Sequence, residues 1–171
     1  MLPSIEHRLA AELSAARPSM TPIRNLLRRW QDGLRLSAEM NLITARDLAI
    51  ERAESLIAAS RRAVTECAAQ AAELLGPGRT VLTHSFSSTV VETCRLLKKT
   101  GLRMIVTESR PLEEGRRLAE RLSAWNVPTS YITDAQMGLF VAQADAVLVG
   151  ADSVLADGAV VNKAGTYPLA L

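Results

Sequence analysis

The sequence predicts an α/β protein: an all-helical N-terminal domain over residues 1–76, then a Rossmann-like parallel sheet domain over residues 77–171. Three observations carry this. The first 76 residues hold apolar side chains at helical spacing, with proline and polar caps at the breaks. Four short apolar runs follow from residue 79, the first three each trailed by a helical stretch, which is the pattern of βαβ units. An Asp-Gly pair between two apolar runs then marks a hairpin after the fourth strand.

In the helical part, Ser4 is placed to cap a segment whose Ile5, Leu9 and Leu13 share one face. Arg17-Pro18 is expected to end it, because a residue before proline avoids the helical region. Thr21-Pro22 opens a second helix with Leu26, Leu27 and Trp30 on its apolar face. Thr44-x-x-Asp47 reads as a capping box for a long third helix, whose helical pattern is Leu48, Leu56, Ile57, Val64, Cys67, Leu74 and Leu75. Gly76-Pro77-Gly78 stops that helix and marks the expected domain boundary.

The four strands are expected at Thr80–Thr83, Arg103–Thr107, Thr129–Ile132 and Ala146–Val149, the last showing best the continuous apolar run of a doubly covered strand. Val154 to Val161, with Asp157-Gly158 at its centre, forms the hairpin and returns Asn162-Lys163 toward the strand ends.

Composition narrows the function classes. Hydrophobic residues are 48% of 171, enough for a core, and the net charge of +2 is too small to argue for nucleic acid. The charge is evenly divided, with ten Arg, no Lys and nine acids in residues 1–76. No apolar run approaches the roughly 18 residues of a membrane span. Glu6 and Arg8 fall where a signal peptide needs its apolar stretch, so a soluble cytoplasmic protein is expected. Cys67 and Cys94 lack any metal spacing and read as two buried reduced thiols; no metal and no cofactor are expected.

In open α/β sheets ligands bind outside the carboxyl ends of the strands. Those ends carry His84-Ser85-Phe86-Ser87-Ser88-Thr89, Glu108-Ser109-Arg110-Pro111, Thr133-Asp134 and Gly150-Ala151-Asp152, joined by Asn162-Lys163. Ser87 and Ser88 open a helix and suit an anion, or simply cap that helix. Arg110 offers a fork of donors to a phosphate, or pairs with Glu113 or Glu114. Asp152 is placed to exchange protons, or to form a turn. Lys163 is a second cation at the same edge, or a solvated lysine.

Together these residues resemble a known family. Val81-Leu82-Thr83-His84, Val106-Thr107-Glu108-Ser109-Arg110-Pro111, Val149-Gly150-Ala151-Asp152 and Val161-Asn162-Lys163-Ala164-Gly165-Thr166-Tyr167 occur in the order and spacing of the alpha, beta and delta subunits of translation initiation factor 2B. That family also contains the methylthioribose-phosphate and ribose bisphosphate isomerases. The resemblance covers residues 79–171, and the helical part is similar to the family's N-terminal domain. It implies a site for a phosphorylated sugar or nucleotide, and a homodimer or larger oligomer. It also implies substrate-contacting roles for Asn162 and Lys163, and a catalytic role for Asp152 in the isomerases. Those enzymes pair that aspartate with a cysteine; here the position is Ser85, whose hydroxyl cannot supply the thiolate that a thiol of pKa about 8.5 can. Their Gln before the glycine after Arg-Pro is Glu114 here, and their Arg-Gly phosphate loop is missing, since Gly33, the one glycine before Gly76, follows Asp32.

The turn with Phe86 is closer to the non-catalytic alpha subunit. Family members continue past Gly-Thr-Tyr, so the sheet domain is expected to be partial, with an open edge for a partner or for further chain. Three functions follow as expectations: a regulatory binder of a phosphorylated sugar or nucleotide, an aldose-ketose isomerase using Asp152, or an interaction subunit with a vestigial pocket.

Overall fold

The structure is a computed structural model and describes residues 2–16, 21–34, 36–37 and 39–171. The chain forms two compact units, Met1–Arg62 and Ala63–Leu171.

The first unit is helical. It holds α1 (Leu2–Ala16), α2 (Thr21–Gly33) and the start of α3 (Leu42–Leu75). Trp30 Nε1 donates to the Ala49 carbonyl at 2.9 Å and Arg52 Nη2 to that of Arg29 at 3.0 Å, fastening α2 to α3. Leu9, Leu13, Leu26, Trp30, Ile50 and Ile57 line an apolar groove of about 590 Å³.

Two expected caps differ. The backbone of α1 is helical from Leu2, so Ser4 lies inside it. At α3 the cap is Asn41, whose Oδ1 accepts the Thr44 N–H at 2.9 Å; Thr44 is inside the first turn, and an asparagine one residue before the helix competes well for that role. The expected stop at Arg17-Pro18 lies outside the described residues.

The second unit is built on a parallel sheet. Its strands are β1 (Thr80–Thr83), β2 (Arg103–Thr107), β3 (Thr129–Ile132) and β4 (Ala146–Val147), in the order β3-β2-β1-β4. Period-2 alternation divides the side chains between two faces. Val81, Met104 and Val106 join Val90, Cys94 and Leu97 of α4 (Ser88–Leu97) and Leu118 and Leu122 of α5 (Glu114–Ala124) in one core. Leu82, Ile105 and Ile132 face the other side, with Met137 and Phe140 of α6 (Met137–Phe140) and Leu169 of the later α7 (Thr166–Ala170).

The end of α3 packs on the first core through Ala72 and Leu75, and Ala68 is fully buried. Cys67 is exposed, against the expectation of two buried thiols: small alanines, not the cysteine, make the close approach, and one residue's step along a helix turns a side chain by about 100°. Cys94 is buried beside Met104, and desolvation pushes its thiol up to about 12. Gly76, at φ +70, ends α3 with its N–H on the Ala72 carbonyl.

β4 is shorter than expected, and Val147 is 40% exposed. An apolar run reads the same in a central strand and at an edge; here it lies at the edge, so one flank lacks a neighbour. The hairpin forms as expected: β5 (Ser153–Val154) pairs antiparallel with β6 (Val160–Val161). The loop has three residues, closed by the Leu155 N–H on the Ala159 carbonyl, with Gly158 at φ +85 taking the left-handed position.

Candidate functional site

The strand order reverses between β1 and β4, since α4 leaves β1 toward β2 while β4 pairs on the opposite side. A crevice outside the carboxyl ends is the consequence of such a reversal. Its floor is the turn after β1. Ser85 sits at φ +72 and donates its N–H to Ser109 Oγ at 2.6 Å. Ser87 caps α4, accepting the Val90 N–H at 3.4 Å, and Ser88 is exposed in the first turn. Phe86 packs against the core, with the Arg117 and Arg121 guanidinium groups 4.9 and 5.8 Å from its ring centre.

His84 is the hub beneath that turn. It is 2% exposed. Its Nε2 lies 2.7 Å from the Ala164 carbonyl, which can only accept, so Nε2 carries the proton. In the neutral ring Nδ1 then accepts from Thr107 Oγ1, 2.6 Å away. Ser109 Oγ is 3.1 Å from Thr107 Oγ1, and Asp134 Oδ1 is 3.8 Å from Nδ1. Asp134 itself accepts the N–H of Ser109 and of Arg110, both at 2.8 Å, which holds the turn after β2 to the end of β3. Gly165, at φ +107, lies against the imidazole where a side chain would collide with it.

The same edge receives the chain after the hairpin. A Cβ at Gly150 would fall 2.8 Å from Ser87 Cβ and 3.7 Å from Asn162 Oδ1, so these three residues form one wall. Asn162 Nδ2 donates to Thr166 Oγ1 at 2.9 Å. Lys163 Nζ holds both carboxylate oxygens of Glu114, at 2.9 and 2.8 Å, and the two side chains are only 19% and 24% exposed. Arg110 pairs with Glu113 at 2.6 Å and is exposed. Asp152 is exposed too, its N–H on the Val161 carbonyl at the hairpin's base.

His84, Ser85, Ser87, Asn162 and Lys163 are therefore drawn around one edge, while Ser88, Arg110 and Asp152 present themselves to solvent. Thr107, Ser109 and Asp134 belong to the same network and were not singled out as site residues in the sequence. An aspartate two residues after a strand, beside a threonine that ends the neighbouring strand and a serine two residues on, was the available signal.

The model of the Initiation factor 2 subunit family matches residues 4–171. The chain belongs to that family. Among its relatives, the eIF-2B subunit 2-like protein of Pyrococcus horikoshii is 41% identical over 165 residues, covering 95% of this chain and 56% of the relative. The ribose 1,5-bisphosphate isomerase of Haloterrigena turkmenica is 34% identical, covering 95% of this chain and 49% of that enzyme. The crystal structure of the Pyrococcus horikoshii translation initiation factor eIF-2B superposes with a TM-score of 0.86 at 38% identity, over 99% of this chain and 58% of that one. The chain thus spans about half the length of the curated relatives it matches. The helical region followed by a four-stranded parallel sheet and hairpin is the fold shared with that structure.

Proposed function

We propose that the strand-end crevice binds a phosphorylated sugar or nucleotide, and that the chain acts as an initiation factor 2B-like regulatory subunit, not as a catalyst. The observation that carries this is the wall of Ser87, Gly150 and Asn162, where chain from β1, β4 and the hairpin meets at the strand-order reversal. A relative named as a ribose 1,5-bisphosphate isomerase supports a sugar phosphate as ligand class. His84 acts from below, as the residue that positions the turn and the Ala164 loop. No metal or cofactor enters this reading, and no nucleic acid.

The non-catalytic half rests on residue 85. Moving a proton between adjacent sugar carbons needs an acid or base on the reacting face. Ser85 needs an activating neighbour to serve, and the adjacent imidazole has both nitrogens committed to Thr107 and Ala164. The thiols lie elsewhere: Cys94 is in the core and Cys67 on α3. A second reading, an aldose-ketose isomerase, is favoured by the exposed carboxylate of Asp152. We place the protein in the cytoplasm; no helix among the described residues is long and apolar enough to cross a membrane.

Ribose 1,5-bisphosphate incubated with the protein and followed by phosphorus NMR separates the two. Line broadening without ketose product is expected. Turnover abolished by Asp152→Asn and spared by Ser85→Ala makes the isomerase reading the correct one. Absence of both broadening and turnover removes the ligand.

A further inference from the structure

Both cations offered to a phosphate at this edge already have carboxylate partners, on consecutive glutamates: Arg110 shares Glu113 with Arg116, and Lys163 holds Glu114 at the start of α5. The two pairs differ in setting. The Arg110 side chain is 57% exposed, where an ion pair contributes little and opens readily. The Lys163–Glu114 pair is mostly covered, so its attraction is less screened. Of the three donors on the ammonium, two engage the Glu114 oxygens, leaving at most one for a ligand.

We propose that Glu114 is a specificity-determining residue. Its carboxylate is a built-in counter-ion on Lys163, and an anionic ligand group gains the lysine only by displacing it. This rests on the reading of the crevice as a sugar-phosphate site and deepens it. At the Lys163 position the site prefers an uncharged sugar hydroxyl to a phosphate.

The backbone keeps the carboxylate in place. Gly115, the next residue, is pressed on the Thr107 carbonyl so closely that a methyl there would collide, and its N–H reaches the Glu108 carbonyl at 3.3 Å. Glu114 is thereby pinned to the end of β2. Its place in the first turn of α5 also favours negative charge through the helix dipole. A phosphate brought to Lys163 meets that fixed carboxylate, so repulsion offsets the gain from the ammonium. A hydroxyl can donate to the carboxylate and accept from the remaining ammonium proton, with no charge to oppose it.

Glutamine keeps the shape of the side chain and one acceptor for Lys163 while removing the charge. Calorimetric titrations with ribose 5-phosphate and with ribose, on wild type, Glu114→Gln and Glu114→Gln/Lys163→Met, test the proposal. Glu114→Gln should bind ribose 5-phosphate at least tenfold more tightly, with ribose affinity within a factor of two, and the added Lys163→Met should erase the gain. If the glutamine variant fails to fold, Glu114→Met carries the same expectation for ribose 5-phosphate, with no claim on ribose because methionine offers no acceptor to a hydroxyl. Unchanged or weaker ribose 5-phosphate binding in the charge-removed variants overturns the proposal while leaving the site standing, because Glu114 then only orients the lysine. A gain that survives Lys163→Met also overturns it. If no form binds either ligand, the underlying site reading falls as well.

Discussion

His84 illustrates how burial fixes a residue's role. A histidine at a strand end next to serines reads as a ligand contact, yet at 2% exposure its ring spends both nitrogens on protein. It joins β1 to the end of β2 and to the loop after the hairpin. His84→Ala takes from the buried Thr107 hydroxyl one of its two partners, leaving Ser109 Oγ, frees the Ala164 carbonyl, and empties the volume of a buried ring. The expected loss of stability is about 2–4 kcal/mol, read as a lower denaturant midpoint at unchanged slope. A loss under about 0.5 kcal/mol, the range of a surface substitution, contradicts the strap. Arg110 makes the opposite point. Both of its readings were open in the sequence, and the glutamate three residues on in the chain takes the guanidinium.

At the scale of elements, β1, β2 and β3 were legible to the residue, because central strands and their neighbours are bounded by turns with clear chemistry. The hairpin was legible from Asp157-Gly158, though its loop length was not, since Asp-Gly serves two- and three-residue loops alike. β4 and Cys67 were misjudged for a common reason: apolar character alone does not say which flank or face finds a neighbour. The open flank of β4 and the hairpin leave Val147, Val154, Val160 and Val161 between 40% and 70% exposed. Such a surface favours association. A homodimer or larger, formed through the sheet domain, is the expected state at tens of micromolar by light scattering. A monomer there contradicts it.

For the molecule as a whole, family membership and fold were within reach of the sequence because four motifs fall in register along a β-α repeat. The candidate site could be named from the sequence as a set of strand ends but not as a network. Its connections run between residues as far apart as His84 and Ala164, 80 positions in sequence, and no local pattern reports them. The central claim is that these strand ends form a binding site for a phosphorylated sugar. Amide chemical-shift mapping on the full chain during titration with ribose 5-phosphate tests it most directly. The account predicts saturable shifts concentrated at 85–88, 150–152 and 162–165. Shifts confined to residues 1–62, or none at millimolar ligand, would contradict it.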